Sequence, residues 1–65
     1  MSGPWEVEAR REGGRTVCRA YRKRDVKRPN TEENREYYGA ASTNRRMVYA
    51  LVAYLNEREE AYARG

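Results

Sequence analysis

The chain has 65 residues, 37% of them charged, and carries a formal net charge of +4. A single cysteine, Cys18, and the absence of histidine exclude an intrachain disulfide scaffold and leave a zinc site without its usual ligands. One small domain is the most this length supports, near the size at which burial only just balances chain entropy, so reinforcement is expected from association with another copy.

No run of about eighteen apolar residues is present to span a bilayer, and Met1 to Pro4 lacks the apolar core of a signal peptide. A cytoplasmic setting without a membrane partner is therefore expected. Charge is unevenly placed. From Arg10 to Arg28 nine Lys or Arg face only Glu12 and Asp25, an excess of seven positive charges, and the rest of the chain sums to minus three. A basic first half points to an anionic partner.

Residues 5–24 read as a β-hairpin. With Gly13 and Gly14 as the two-residue turn, Glu12 opposes Arg15, Ala9 opposes Cys18, Glu8 opposes Arg19 and Val7 opposes Ala20. One face then carries Trp5, Val7, Ala9, Cys18 and Ala20, and the other Glu6, Glu8, Arg10, Glu12, Arg15, Val17, Arg19 and Tyr21, with opposite charges set across from each other. Cys18 is a small buried hydrophobe in this register. Glu6 and Glu8 form a carboxylate pair on one strand face, but Arg19 opposite Glu8 makes an ordinary cross-strand ion pair the simpler reading.

Residues 25–34 read as loop, punctuated by "KRPN". The next stretch, 35–40, admits two readings. Asn30 with Glu33 three residues on resembles a capping box, and Gly39 would end the helix it starts; against this, "REYYGAA" has the aromatic and small residues of a short strand. A helix is predicted over 43–63, capped by Ser42 or Thr43. Met47, Val48, Leu51, Leu55 and Tyr62 share its core face, flanked by Val52 and Tyr54. The fold class expected is α+β: an antiparallel hairpin, with a third short strand if 35–40 is extended, packed on one long C-terminal helix.

"TNRRMVYALVAYL" resembles the strand-to-helix junction of the ribonuclease H family, where a Thr-Asn-Asn-Arg-Met-Glu pattern opens the first helix after three antiparallel strands; Thr43, Asn44, Arg46 and Met47 match it. The resemblance covers residues 43–55 and implies that 35–40 is the third strand. Its chemistry does not carry over. The family's catalytic glutamate falls on Val48, and the Asp-Gly that brings another metal ligand has no counterpart in "WEVEARREGG". Hard cations need clustered oxygen ligands, so neither a metal nor any other cofactor is expected. Without histidine, an activated nucleophile or a glycine-rich phosphate loop, a non-enzymatic protein is expected.

The leading expectation is a basic nucleic-acid-binding module that uses Arg10, Arg15, Arg19, Arg22, Lys23, Arg24, Lys27 and Arg28 for phosphates and Tyr21 for stacking. The alternative is a small inhibitor or adaptor, of the kind phages direct at a host factor, docking the same arginines on an acidic or nucleic-acid-binding protein surface. Thr43, Asn44 and Arg45 at the helix start form a candidate anion site. Arg46, Tyr49, Ala50, Ala53, Tyr54, Glu57 and Glu60 form a second helix face that suits an antiparallel homodimer.

Overall fold

Gly13 and Gly14 close the first turn with φ of 55° and 78°, the left-handed conformation that both central positions of this turn type demand and that glycine adopts without steric cost. In the computed structural model, which describes residues 1 to 64 and side chains as far as Glu59, β1 (Glu6–Glu12) and β2 (Arg15–Lys23) flank that turn. They pair antiparallel in the predicted register, with Glu12 opposite Arg15, Ala9 opposite Cys18 and Val7 opposite Ala20.

The ambiguous stretch is a strand. β3 (Arg35–Ser42) pairs antiparallel with β2, giving the order β1-β2-β3. Tyr38 lies opposite Ala20 and Ser42 opposite Cys18, so three residues of β3 bulge against the single Arg19. Gly39 supplies the positive φ of 73° for this bulge, and Arg19 Nε donates to its carbonyl at 2.9 Å. Asn30 and Glu33 start no α-helix: residues Glu32–Asn34 form one 3-10 turn that leads into β3.

α1 (Arg45–Arg64) begins two residues later than the sequence suggested. Neither Ser42 nor Thr43 caps it. Asn44 Oδ1 accepts the Met47 amide at 3.2 Å, which is the N-cap arrangement. Ser42 is still paired with Cys18 in the sheet, and its hydroxyl accepts the Asn44 amide at 3.0 Å. The chain therefore leaves β3, turns through Thr43 and enters the helix within two residues.

Cys18 and Ala20 of β2 present small side chains to the helix, and Val48, Val52 and Leu55, at spacings of four and three, are buried on the sheet side of α1. Trp5, Ala20, Val52 and Leu55 form one cluster, with Val7 and Leu51 packed at its edge. Met47 and Tyr54 are not part of this face: both are more than half exposed. The buried stripe is centred between Val48 and Val52, which turns Met47, about 100° from Val48, toward the helix flank. Ala9 is exposed because α1 lies mainly over β2 rather than over the hairpin end of β1. The side chains of Glu60 and Tyr62, and Gly65, lie outside the described residues. No described helix is long and apolar enough to cross a membrane.

Replacing Asn44 with alanine should lower stability by about 1 kcal/mol in chemical denaturation, whereas Thr43→Ala should stay within a few tenths. An equal or larger loss from Thr43→Ala would reassign the cap.

Candidate nucleic-acid interface

The alternation that sends Cys18 and Ala20 to the helix sends Val17, Arg19 and Tyr21 to the opposite face of the sheet, where β1 adds Glu8 and Arg10 and β3 adds Arg35 and Tyr37. Glu8 is the hub. Its carboxylate accepts the Tyr37 hydroxyl at 2.6 Å and Arg35 Nη1 at 2.7 Å, and its other oxygen pairs with Arg10. Arg10 also reaches Glu32 of the 3-10 turn. The Arg19 guanidinium lies 4.5 Å from the Tyr37 ring centroid and that of Arg35 4.6 Å from the Tyr21 ring. The simple Glu8–Arg19 ion pair expected from the hairpin register does not form: three other donors take Glu8, and Arg19 turns to the bulged strand.

The loop between β2 and β3 folds onto the same face because Asn34, buried at its end, staples it. Asn34 Oδ1 accepts the Asp25 amide at 3.0 Å, while its Nδ2 donates to the carbonyls of Asp25 at 2.9 Å and Pro29 at 3.0 Å. Loop residue Asn30 then donates to the Tyr21 hydroxyl at 3.1 Å and accepts Arg35 Nε at 2.8 Å. Tyr21 is left only 6% exposed, with one ring face under Arg35, so a base could stack on it only by displacing that arginine.

Partial burial pushes the Glu8 carboxyl up, but the Tyr37 and Arg35 hydrogen bonds and the Arg10 charge outweigh it and hold the group below the usual glutamate range. The Arg22 hydrogen bond does the same for Glu36.

The nine residues expected to contact nucleic acid do not form one surface. Arg22 sits on the helix side, its guanidinium 4.6 Å from the Trp5 ring centroid and its nitrogens on Glu36 at 2.6 Å and Glu59 at 2.7 Å. Arg10, Arg19 and Tyr21 belong to the network just described. Lys23 Nζ donates to the Val26 carbonyl, Arg24 Nε to that of Arg35, and Arg28 faces Asp25 at 3.7 Å. Arg15 and Lys27 remain exposed with no side-chain hydrogen bond or ion pair among the described residues.

Among the described residues, Arg11, Arg45 and Arg46 share that condition. Arg11 is the residue that sequence reasoning missed, although the register already placed it opposite uncharged Thr16 rather than an acid. Topology gathers these arginines. Ser42 pairs with Cys18, whereas Trp5 is bonded to Asn56, so α1 starts at the hairpin-turn end of the sheet and runs back antiparallel to β1. Arg11, Arg15, Arg45 and Arg46 thus share one end of the molecule, and the first helical turn contains no acid.

At the candidate anion site, Asn44 has taken the Met47 amide for itself, while Thr43 and Arg45 are exposed. Val48, where the ribonuclease H pattern has its catalytic glutamate, is buried at 3% exposure against the sheet. Among the described residues no three His, Cys, Asp or Glu gather to hold a metal ion. The proposed dimer residues from Arg46 to Glu57 are all exposed on the far side of α1. Comparison of the chain with family models, with curated proteins and with solved structures finds no match.

Because Glu8 is depressed in the folded state, its contribution to stability is present above the unfolded value of about 4.3 and is lost as pH falls through the lower folded value. A Glu8→Gln variant should be less stable than the wild type at pH 7 and show a flatter stability profile below about pH 4.3. Parallel profiles in acid titrations followed by circular dichroism would show that the carboxylate contributes nothing.

Proposed function

We propose that the chain is a small non-enzymatic module that binds nucleic acid mainly through its phosphates, at the end of the molecule formed by the hairpin turn and the start of α1. The observation that carries this reading is the gathering of Arg11, Arg15 and Arg45, exposed and without an ion pair among the described residues, at that end. Arginine is always charged and matches phosphate oxygens with a planar fork of donors. Phosphate contacts also suit a helix start, where the dipole favours negative charge. Thr43, Asn44 and Arg45 would then belong to the same surface as the hairpin tip, with Lys27 and Arg28 as outlying contacts.

Two features support the non-enzymatic part. The matched catalytic position is filled by an aliphatic side chain inside the core, so a carboxylate there would have to be buried. Glu8, the most enclosed carboxylate on the open face, has its oxygens occupied by an arginine pair and a tyrosine.

Fluorescence anisotropy with labelled DNA and RNA across a salt series tests the proposal. Binding should be micromolar or tighter at low salt and weaken as salt rises, with a logarithmic slope of roughly 0.9 per phosphate contact on duplex DNA. Replacing Arg11, Arg15 and Arg45 together with glutamine should lower that slope by about 2 to 3. Replacing Arg24, Lys27 and Arg28 should change it less. Absence of binding at low salt would sink the proposal in favour of an acidic protein surface as the target. An RNA/DNA hybrid incubated with the protein and magnesium or manganese should stay intact, and reproducible cleavage by a pure preparation would overturn the non-enzymatic reading.

A further inference from the structure

The face of α1 turned away from the sheet is apolar where a solvated helix would be charged. Met47, Tyr49 and Tyr54 are 55%, 56% and 57% exposed, three of the six large exposed hydrophobic side chains among the described residues. Ala50 and Ala53 lie between the tyrosines, exposed as well. At 100° per residue Arg46, Ala50, Ala53 and Glu57 fall within about 60° of one another, on the side opposite the buried Val48, Val52 and Leu55.

The charges at the two ends of this stripe are unused among the described residues. Neither Arg46 nor Glu57 makes an ion pair among the described residues, and Arg46 stands in the first turn of α1, where the helix's own dipole disfavours a cation. Glu59, by contrast, is taken by Arg22. An arginine at one end and a glutamate at the other is the charge pattern that complements itself when the helix is met by a copy running the opposite way.

We infer that this face is the contact with a second copy of the chain, packed as an antiparallel helix pair about a two-fold axis. With the axis at the midpoint between Leu51 and Val52, Arg46 faces the second copy's glutamate at 57, Ala50 faces its alanine at 53, and Tyr49 faces its tyrosine at 54. Every pairing is reciprocated, as a closed isologous interface requires. Alanine at the crossing allows the axes to approach to about 8 Å, and the tyrosines close over the flanks. The inference stands independently of nucleic-acid binding, since it uses neither Arg11, Arg15 nor Arg45.

Light scattering after gel filtration of the full chain should report twice the 7.7 kDa monomer mass at tens of micromolar protein. Arg46→Glu alone and Glu57→Arg alone should each raise the dissociation constant about tenfold or more, and the double exchange should return it to within a few-fold of the wild type. All three variants should keep the wild-type circular dichroism spectrum, because both positions are exposed. Ala50→Trp should give a folded monomer. A wild-type chain that stays monomeric at millimolar concentration, or a double variant no better than either single one, would overturn the inference.

Discussion

Trp5 is the residue on which the closure of this fold depends. Its backbone N–H donates to Asn56 Oδ1 at 2.8 Å, and its carbonyl accepts Asn56 Nδ2 at 3.1 Å. One side chain thus fixes both polar groups of a residue fifty-one positions away. The ring packs with Ala20, Val52 and Leu55, meets Tyr38 edge-on at 5.7 Å and lies under the Arg22 guanidinium. The indole Nε1 is buried without a partner among the described residues, a cost of about 1–3 kcal/mol that the burial of so large a ring can offset. This contact ties the start of the sheet to the later turns of the helix. It also sets the place of Arg22, whose guanidinium is held on Trp5 between Glu36 and Glu59.

The two faces of the sheet are covered by different physics because the composition supplies only enough apolar residues for one. Toward the helix β2 presents the small side chains of Cys18 and Ala20, and a core forms there from few residues. On the other face there is no second helix. Arginines lie over tyrosine rings, a carboxylate collects three donors, and the loop stapled by Asn34 closes over Tyr21. Arginine suits this role because its planar group is weakly hydrated and stacks while still donating hydrogen bonds at its edge. The result is a polar layer that consumes many of the positive charges that sequence composition would assign to a ligand.

Legibility in the sequence follows the range of the interactions. The hairpin was readable to the residue, because a Gly-Gly turn fixes the register and a slip of one would bury charges. The helix was readable as an element but not at its edges: Ser42, Thr43 and Asn44 all have capping side chains, and only pairing of Ser42 with Cys18 reveals that the third is used. Met47 looked like core because an apolar stripe on a wheel can be rotated by one residue without violating its period. Local rules lean toward a helix for residues 35–40, and the strand reading comes from the ribonuclease H resemblance. The charge network was illegible, since it depends on the β2–β3 register and on a bulge at Gly39 that no local signal locates. Hence the basic segment could be counted but not sorted into occupied and available arginines.

The charges along α1 connect the two proposed surfaces. Its first turn carries Arg45 and Arg46, which the helix dipole disfavours, and its later turns carry Glu57 and Glu59. The four divide among three remedies. Glu59 is neutralised within the chain by Arg22; Arg46 and Glu57 neutralise each other across the proposed two-fold axis; Arg45 alone is left for an external anion. The same axis sets the two Arg45 residues thirteen positions apart, about 20 Å along the helices at 1.5 Å per residue. Because the helices run in opposite directions, the two basic ends point away from each other, and the paired helices cover neither hairpin turn. Pairing on this axis would leave both proposed phosphate-binding ends open and aim them at separate stretches of backbone, the geometry of a bridge between two segments and not of a clamp on one.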